Sequence, residues 1–291
     1  PVPSSAASDV YKRQLEGLSK LASGIKSENS LAVVQLHHAG MRSPADLIGQ
    51  APVCPSDHTD TNSVGLSSEG VKELIEDFIC GAERAEKAGF DGVEIHGAHG
   101  YILAQFLSAT INQRQDEFGG CIENRMRPIT AIIDGIRARC RPDFLLGLRL
   151  SPERFDVHLP DIVEVAKNVL SAGKIDFLDM SLWDSFKEPE DQAFKGRTLL
   201  SYFTELKRGN VALGIAGKLR NPEEVNQAMA ADIDFVMLGR AAILHHDFPR
   251  QMKTDPNFTP IKNPVSADHL RKEGLGEAFI TYMSGWKGFV G

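Results

Sequence analysis

Residues 91–125 read DGVEIHGAHGYILAQFLSATINQRQDEFGGCIENR, and this pattern points both to a fold class and to a candidate site. A short apolar strand, DGVEI, runs directly into His96, His99 and Tyr101, so two imidazoles and a phenol follow the end of the strand. In α/β proteins, catalytic side chains gather at the carboxyl ends of parallel strands. The stretch therefore predicts an α/β fold with a functional site after this strand.

Outward from this stretch, apolar strands and amphipathic helices alternate along the chain. Helical periodicity is clearest from Ser68, where apolar residues recur three and four positions apart until Gly89. The pattern indicates a parallel α/β sheet built from about six βα units. An eight-stranded barrel needs two more strands, and their places lie before the first of these six. The six predicted strands are 31–36, 91–96, 144–150, 175–181, 211–216 and 233–238.

Composition limits the classes of partner. The chain has 291 residues and a formal net charge of -7, with no block of lysine or arginine, which argues against nucleic acid or an acidic membrane surface. No run of about 18 or more apolar residues is present, so no membrane-spanning segment is predicted. The four cysteines form no C-x-x-C pair, which fits a reducing cytoplasm and gives no sign of a disulfide framework or metal cluster.

The 91–125 stretch resembles the Old Yellow Enzyme family of NADH:flavin oxidoreductases. The resemblance implies a TIM-type (β/α)8 barrel, here incomplete with the first two units missing. It also implies an FMN-dependent oxidoreductase that passes hydride from NADH or NADPH, as a transient donor, through FMN to an activated alkene or related electrophilic acceptor. The residues that match the family pattern in order are His96, His99, Tyr101, Asn112, Arg114, Asp116, Gly119, Gly120, Glu123, Asn124 and Arg125.

The resemblance also divides the chain. Residues 1–14 match nothing in the family and are expected to be a disordered lead-in or a cloning scar. Residues 15–255 are the partial FMN-binding barrel, and residues 256–291 form a weakly matched C-terminal tail. Strands bordering the missing units are expected to have exposed edges.

Five residues are predicted to bind FMN on the strength of the resemblance. Gln35 would bond the flavin pyrimidine, with an amide satisfied by loop backbone as the alternative. Arg149 would stabilise negative charge on the reduced ring, and a salt bridge to Asp179 or Glu94 is the alternative. The loops after the last two strands would hold the phosphate through Gly217, Gly239 and Arg240, although a glycine-arginine pair after a strand also suits a plain turn.

The catalytic residues implied by the family are His96, His99 and Tyr101. The two histidines would hold the acceptor's carbonyl oxygen, and Tyr101 would donate a proton to its α-carbon. Tyr101 could instead pack on the loop as an aromatic residue at a helix start. The H-x-x-H pair with Glu94 would also suit a metal, but the other strand ends offer poor ligands, so no metal is predicted.

Two other functions remain open at this point. One is a metal-dependent lyase or hydrolase on the same barrel, and the other is a catalytically silent fragment that cannot hold flavin. The expected partner is a small-molecule substrate, with self-association into a homo-oligomer as a further expectation.

Overall fold

The computed structural model describes the backbone of residues 4–291 and the side chains from Gln14 onward. Strands and helices alternate through most of this region, as the sequence pattern predicts. The strands are β1 (Val33–Leu36), β2 (Val53–Cys54), β3 (Val64–Gly65), β4 (Gly92–Gly97), β5 (Leu145–Leu150), β6 (Phe177–Ser181), β7 (Ala212–Ala216) and β8 (Phe235–Val236).

The helices cover one flank of the sheet and the carboxyl-terminal part of the chain. They are α1 (Ser4–Lys26), α2 (Ala45–Ile48), α3 (Ser68–Lys87), α4 (Ile102–Leu107), α5 (Ile122–Arg125), α6 (Arg127–Arg139), α7 (Leu159–Ala172), α8 (Ser201–Thr204), α9 (Pro222–Met229), α10 (Arg240–Leu244), α11 (Phe248–Thr254), α12 (Ala267–Lys272) and α13 (Glu277–Ser284).

Six parallel strands form the main sheet in the order β1-β4-β5-β6-β7-β8. All six correspond to predicted strands, although β8 is shorter than residues 233–238. Among the described residues, β1 and β8 each pair with one neighbour only, so the sheet stays open between them. Strands β2 and β3 form a separate parallel pair between β1 and β4, and the sequence did not predict them because two-residue strands carry no detectable periodicity.

Helix α3 illustrates how the sequence builds the outer layer. Its buried residues recur every three to four positions, which turns one apolar face toward the sheet. Ser67, one residue before the predicted start of the periodicity at Ser68, caps the helix by accepting a hydrogen bond from the Gly70 amide at 3.0 Å. Gly89, with φ of 89°, provides the left-handed turn after the helix.

Two glycines let aromatic rings fill the inner face of the sheet. A Cβ atom placed on Gly147 would lie 2.1 Å from the Phe177 ring, and one on Gly214 would lie 2.1 Å from the Phe235 ring. Any side chain at either glycine would therefore displace the neighbouring ring, which is half-buried.

The predicted domain boundaries remain predictions at both ends of the barrel region. Residues 1–3 of the expected lead-in lie outside the described residues, and from Ser4 the backbone is helical, so α1 begins before Leu15. Residues 256–291 contain α12 and α13. A small apolar cluster of its own holds this segment to α10, and its members are Leu244, Val265, Leu270, Ile280, Met283 and Phe289.

Candidate active site at the carboxyl end of the sheet

The two histidines of the HGAHGY motif meet at the carboxyl end of β4. His99 Nδ1 lies 3.2 Å from His96 Nε2, and the His96 and Tyr101 rings are 5.2 Å apart. A left-handed backbone at His99, with φ of 58°, turns the chain so that its ring returns over His96. The structure thus brings together all three predicted catalytic residues.

Both imidazoles are uncharged at neutral pH. Burial, together with the nearby charge of Arg149, lowers the pKa of His99 to about 4. Burial and the proximity of His99 and Arg149 lower the pKa of His96 to about 3. The contact between the two rings uses one of their two N–H groups, so the pair as it stands has one neutral N–H to donate to an acceptor oxygen and supplies no positive charge at that point.

Acidification is expected to destabilise the protein through these histidines. The unfolded chain takes up a proton near pH 6.5, whereas folded His96 and His99 stay neutral down to about pH 3 and pH 4. The stability that the two neutral histidines contribute above pH 6.5 is therefore lost as the pH falls from 6.5 toward 3. Urea unfolding of a His96→Asn variant should lose less stability than wild type between pH 6.5 and 4.5, and equal losses would contradict the assignment.

Two residues that the motif did not single out complete the cluster. The His37 ring packs edge-on against Tyr101 at 4.3 Å, and the Arg42 guanidinium lies 4.9 Å from the centre of the Tyr101 ring. Arg42 also donates a hydrogen bond to the His99 carbonyl at 2.5 Å. The adjacent His38 does not join the cluster and instead accepts a hydrogen bond from the Gly40 amide at 3.0 Å.

Gln35 reaches a carboxylate. It is exposed at the open edge of the sheet and donates its Nε2 to Glu94, its register partner on β4. The predicted alternative of a backbone partner is therefore wrong, because strand register places a buried acid beside the amide. Burial raises the pKa of Glu94, against the opposing effects of Gln35 and Arg149.

Arg149 forms the salt bridge that the sequence offered as an alternative, and it also lines a cavity. Its Nε lies 3.0 Å from Asp179 Oδ2 and donates to Ser181 Oγ at 2.7 Å. Within the described residues, its two terminal nitrogens make no hydrogen bond or ion pair. The side chain is therefore anchored at one nitrogen while two donors are left for a ligand.

The cavity beside Arg149 has a volume of about 620 Å³ and contains most of the predicted cofactor residues. Its lining includes His99, Arg149, Gly217, Gly239 and Arg240. Gln35, His96 and Tyr101 are not in its wall and lie on the β1 side of the same sheet edge. The predicted residues therefore fall into a cavity and an adjoining aromatic cluster.

The two glycines predicted for a phosphate differ in their surroundings. The Gly217 carbonyl accepts from the amide and the hydroxyl of Ser185, and a Cβ on Gly217 would lie 2.9 Å from that amide nitrogen. Open space surrounds the position of a Cβ on Gly239, and the Arg240 side chain makes no ion pair within the described residues. Gly239 and Arg240 thus line the cavity with open space at the glycine and no ion pair at the arginine in the described residues. Gly217 instead lets two loops approach closely.

The remainder of the long motif builds the loop that supports the site. Asn112 donates to the carbonyls of Phe106 and Phe118, both at 2.8 Å. Arg114 pairs with Asp116, and Arg125 pairs with Asp161 at 2.9 Å. These side chains satisfy loop carbonyls and carboxylates rather than facing the cavity, so most of the motif serves structure.

Among the described residues, no group of three or more His, Cys, Asp or Glu side chains is arranged to hold a metal ion. None of the helices described for residues 4–291 combines the length and apolar character that a membrane crossing requires.

The amino-acid sequence matches a known family. The model of the NADH:flavin oxidoreductase / NADH oxidase family matches residues 6–257, which is most of the chain and includes every predicted site residue. The chain belongs to this family.

Relatives within the NADH:flavin oxidoreductase / NADH oxidase family support the same conclusion. The chain is 33% identical over 255 residues to the probable NADH-dependent flavin oxidoreductase YqiG of Bacillus subtilis, covering 84% of this chain and 66% of that protein. It is 32% identical over 261 residues to an NADPH dehydrogenase of Bacillus licheniformis, covering 87% of this chain and 75% of that protein. It spans only 27% of the NADH:fumarate oxidoreductase of Klebsiella pneumoniae, at 31% identity over 252 residues.

A solved structure within the family agrees with the fold. The old yellow enzyme homologue from Zymomonas mobilis superimposes with a TM-score of 0.72 at 25% identity, covering 88% of this chain and 75% of that one. The open sheet of six parallel strands is therefore an incomplete TIM-type barrel, as predicted.

Proposed function

We propose that this chain holds FMN in the 620 Å³ cavity and passes hydride from NADH or NADPH to an activated alkene or a related electrophilic acceptor. The observation that carries the proposal is Arg149, which is anchored at Nε while its two terminal nitrogens remain free at the cavity, beside a pair of neutral histidines. When bound, the flavin supplies storage of the hydride between donor and acceptor.

The residues present suit FMN. A cavity of this size is ordinary for a cofactor, and Arg149 offers two parallel donors for a ring edge that becomes negative on reduction. Gln35 gives its Nε2 to Glu94, so its Oε1 is the atom left to accept from a ligand N–H. Gly239 and Arg240 would hold the phosphate, with Gly217 shaping the adjoining loop.

His96, His99 and Tyr101 act on the acceptor. The acceptor's carbonyl or equivalent oxygen would replace the hydrogen bond between His96 and His99, so that each neutral imidazole donates its one N–H to that oxygen and polarises the conjugated double bond. The Tyr101 hydroxyl has no hydrogen-bond partner within the described residues and is free to give a proton to the α-carbon. Donor and acceptor would use the same space in turn, which predicts ping-pong kinetics.

The other functions have less support. A metal-dependent lyase would need a third ligand near His96 and His99, and Glu94, the carboxylate that the sequence offered for this role, is engaged by Gln35. A silent fragment remains the outcome to expect if the chain takes up no flavin. Small-molecule acceptors, a cytoplasmic location and self-association stay proposals, with relatives named for both NADH and NADPH.

A flavin assay tests the proposal directly. Titration of FMN with purified protein is expected to quench the flavin fluorescence, and the quenching should be complete at one equivalent of protein. Acid should then release a compound that co-elutes with FMN. Arg149→Met should weaken this binding by roughly tenfold or more, because two hydrogen bonds from a charged donor are lost. A preparation that leaves FMN fluorescence unchanged would overturn the proposal.

A further inference from the structure

Strand register places four residues in one row across the inner face of the sheet. His96 on β4 is the register partner of Arg149 on β5, Arg149 is the partner of Asp179 on β6, and Asp179 is the partner of Gly214 on β7. Neighbours in register on parallel strands point to the same face. Asp179 thus has a cation on one side and no side chain on the other.

Asp179 is fully buried, with 0% of its side chain exposed. Neither of its carboxylate oxygens has a hydrogen-bond partner among the described residues, because the Arg149 Nε–H is directed at Ser181 Oγ. The Phe235 ring fills the space over Gly214 and excludes a polar partner from that side. Arg149 is therefore the group that compensates the charge of this acid.

The charged groups that face Asp179 are Arg149 on β5 and Glu94 on β4. Burial is the main influence and raises the pKa of Asp179 to about 7, with Arg149 opposing the shift and Glu94 adding to it. The acid therefore changes charge within the physiological range. The net charge of the Arg149 and Asp179 pair changes with it, at the point where Arg149 borders the cavity.

We propose that Asp179 is a positioning residue that holds Arg149 at the cavity and sets how much uncompensated positive charge Arg149 presents to the bound flavin. The ligand's identity rests on the proposed function, whereas the pairing rests on the contacts of Arg149. Ionised Asp179 neutralises the guanidinium, and protonated Asp179 leaves its charge uncompensated. Ser181 anchors the same nitrogen without charge, so it provides a matched control.

The first test uses the protein without flavin. The folded acid binds a proton up to about pH 7, whereas the unfolded acid releases it near pH 4, so the stability that the protonated acid contributes is lost as pH rises toward 7. Urea unfolding should show wild type falling relative to Asp179→Asn from pH 5.5 to 8.5, and Ser181→Ala, which keeps the buried acid, should also fall relative to Asp179→Asn. A constant difference between wild type and Asp179→Asn would overturn the inference even if FMN never binds.

The second test measures bound FMN. At pH 8.5, Asp179→Asn is expected to favour reduced over oxidised FMN by roughly tenfold more than wild type, because the charge on Arg149 is no longer compensated. Tenfold corresponds to about 30 mV in a two-electron potential. At pH 5.5 the difference should vanish, since wild-type Asp179 is then protonated.

The controls separate the possible failures. Ser181→Ala should show no pH-dependent difference in potential, and Asp179→Glu should restore part of the wild-type pH dependence. A shift that is equal at both pH values, or equal in Ser181→Ala, would reduce Asp179 to a structural role and overturn the inference. Failure of wild type to bind FMN would instead count against the proposed function, leaving the unfolding test to decide on Asp179.

Discussion

Tyr101→Phe is expected to slow reduction of an activated alkene by about 10²–10⁴-fold, the usual contribution of a positioned general acid. Reduction of the flavin by the nicotinamide should stay near the wild-type rate, since no proton from Tyr101 enters that step. The substitution keeps the ring that packs against His37 and Arg42 and removes only a hydroxyl without a partner in the described structure. Stopped-flow measurement of the two half-reactions separates the rates.

Tyr202→Phe is the matched control. Tyr202 Oη donates to the Phe194 carbonyl at 2.7 Å, away from the cavity, so its loss should lower stability without changing either half-reaction. If Tyr101→Phe slows both half-reactions equally, Tyr101 positions ligands and does not donate the proton. If it slows neither, the aromatic packing on the loop that the sequence left open is its role.

Arg149→Met is expected to destabilise the folded protein by about 3–5 kcal/mol at pH 8, the usual cost of leaving one partner of a buried ion pair uncompensated. Asp179 is fully buried, and among the described residues no cation other than Arg149 contacts it. Without Arg149 the pKa of Asp179 should rise further above about 7, so protonation relieves the buried charge as pH falls. The free energy of unfolding that Arg149→Met loses relative to wild type, measured with urea, should therefore be smaller at pH 5.5 than at pH 8.

Two further variants test the cause. Arg149→Met combined with Asp179→Leu should recover much of the lost stability, because a buried pair can be replaced by apolar side chains of similar volume. Arg139→Met removes a cation that pairs with Glu76 and Glu83 on the surface, and its loss should be much smaller. A pH-independent loss in Arg149→Met, unrelieved in the double variant, would assign the effect to packing.

The six main strands could be predicted from the sequence because each depends on local properties. A parallel strand buried on both faces is a short apolar run bounded by turn residues, and the order of such runs along the chain already implies a parallel α/β sheet. The HGAHGY motif is likewise contiguous, so its three side chains had to emerge near one strand end. Short elements such as α2, β2 and β3 escaped prediction because a few residues carry no measurable period.

The partners of the polar residues depended on the tertiary structure. Gln35 and Glu94 are 59 positions apart in the chain, and Arg149 and Asp179 belong to different strands, yet register makes each pair direct neighbours. His37 became part of the Tyr101 cluster for the same reason, since it follows β1 whereas Tyr101 follows β4. Local sterics and burial determine which segments are strands, whereas the pairing of distant strands determines which charges meet, and the pairing exists only once the sheet has formed.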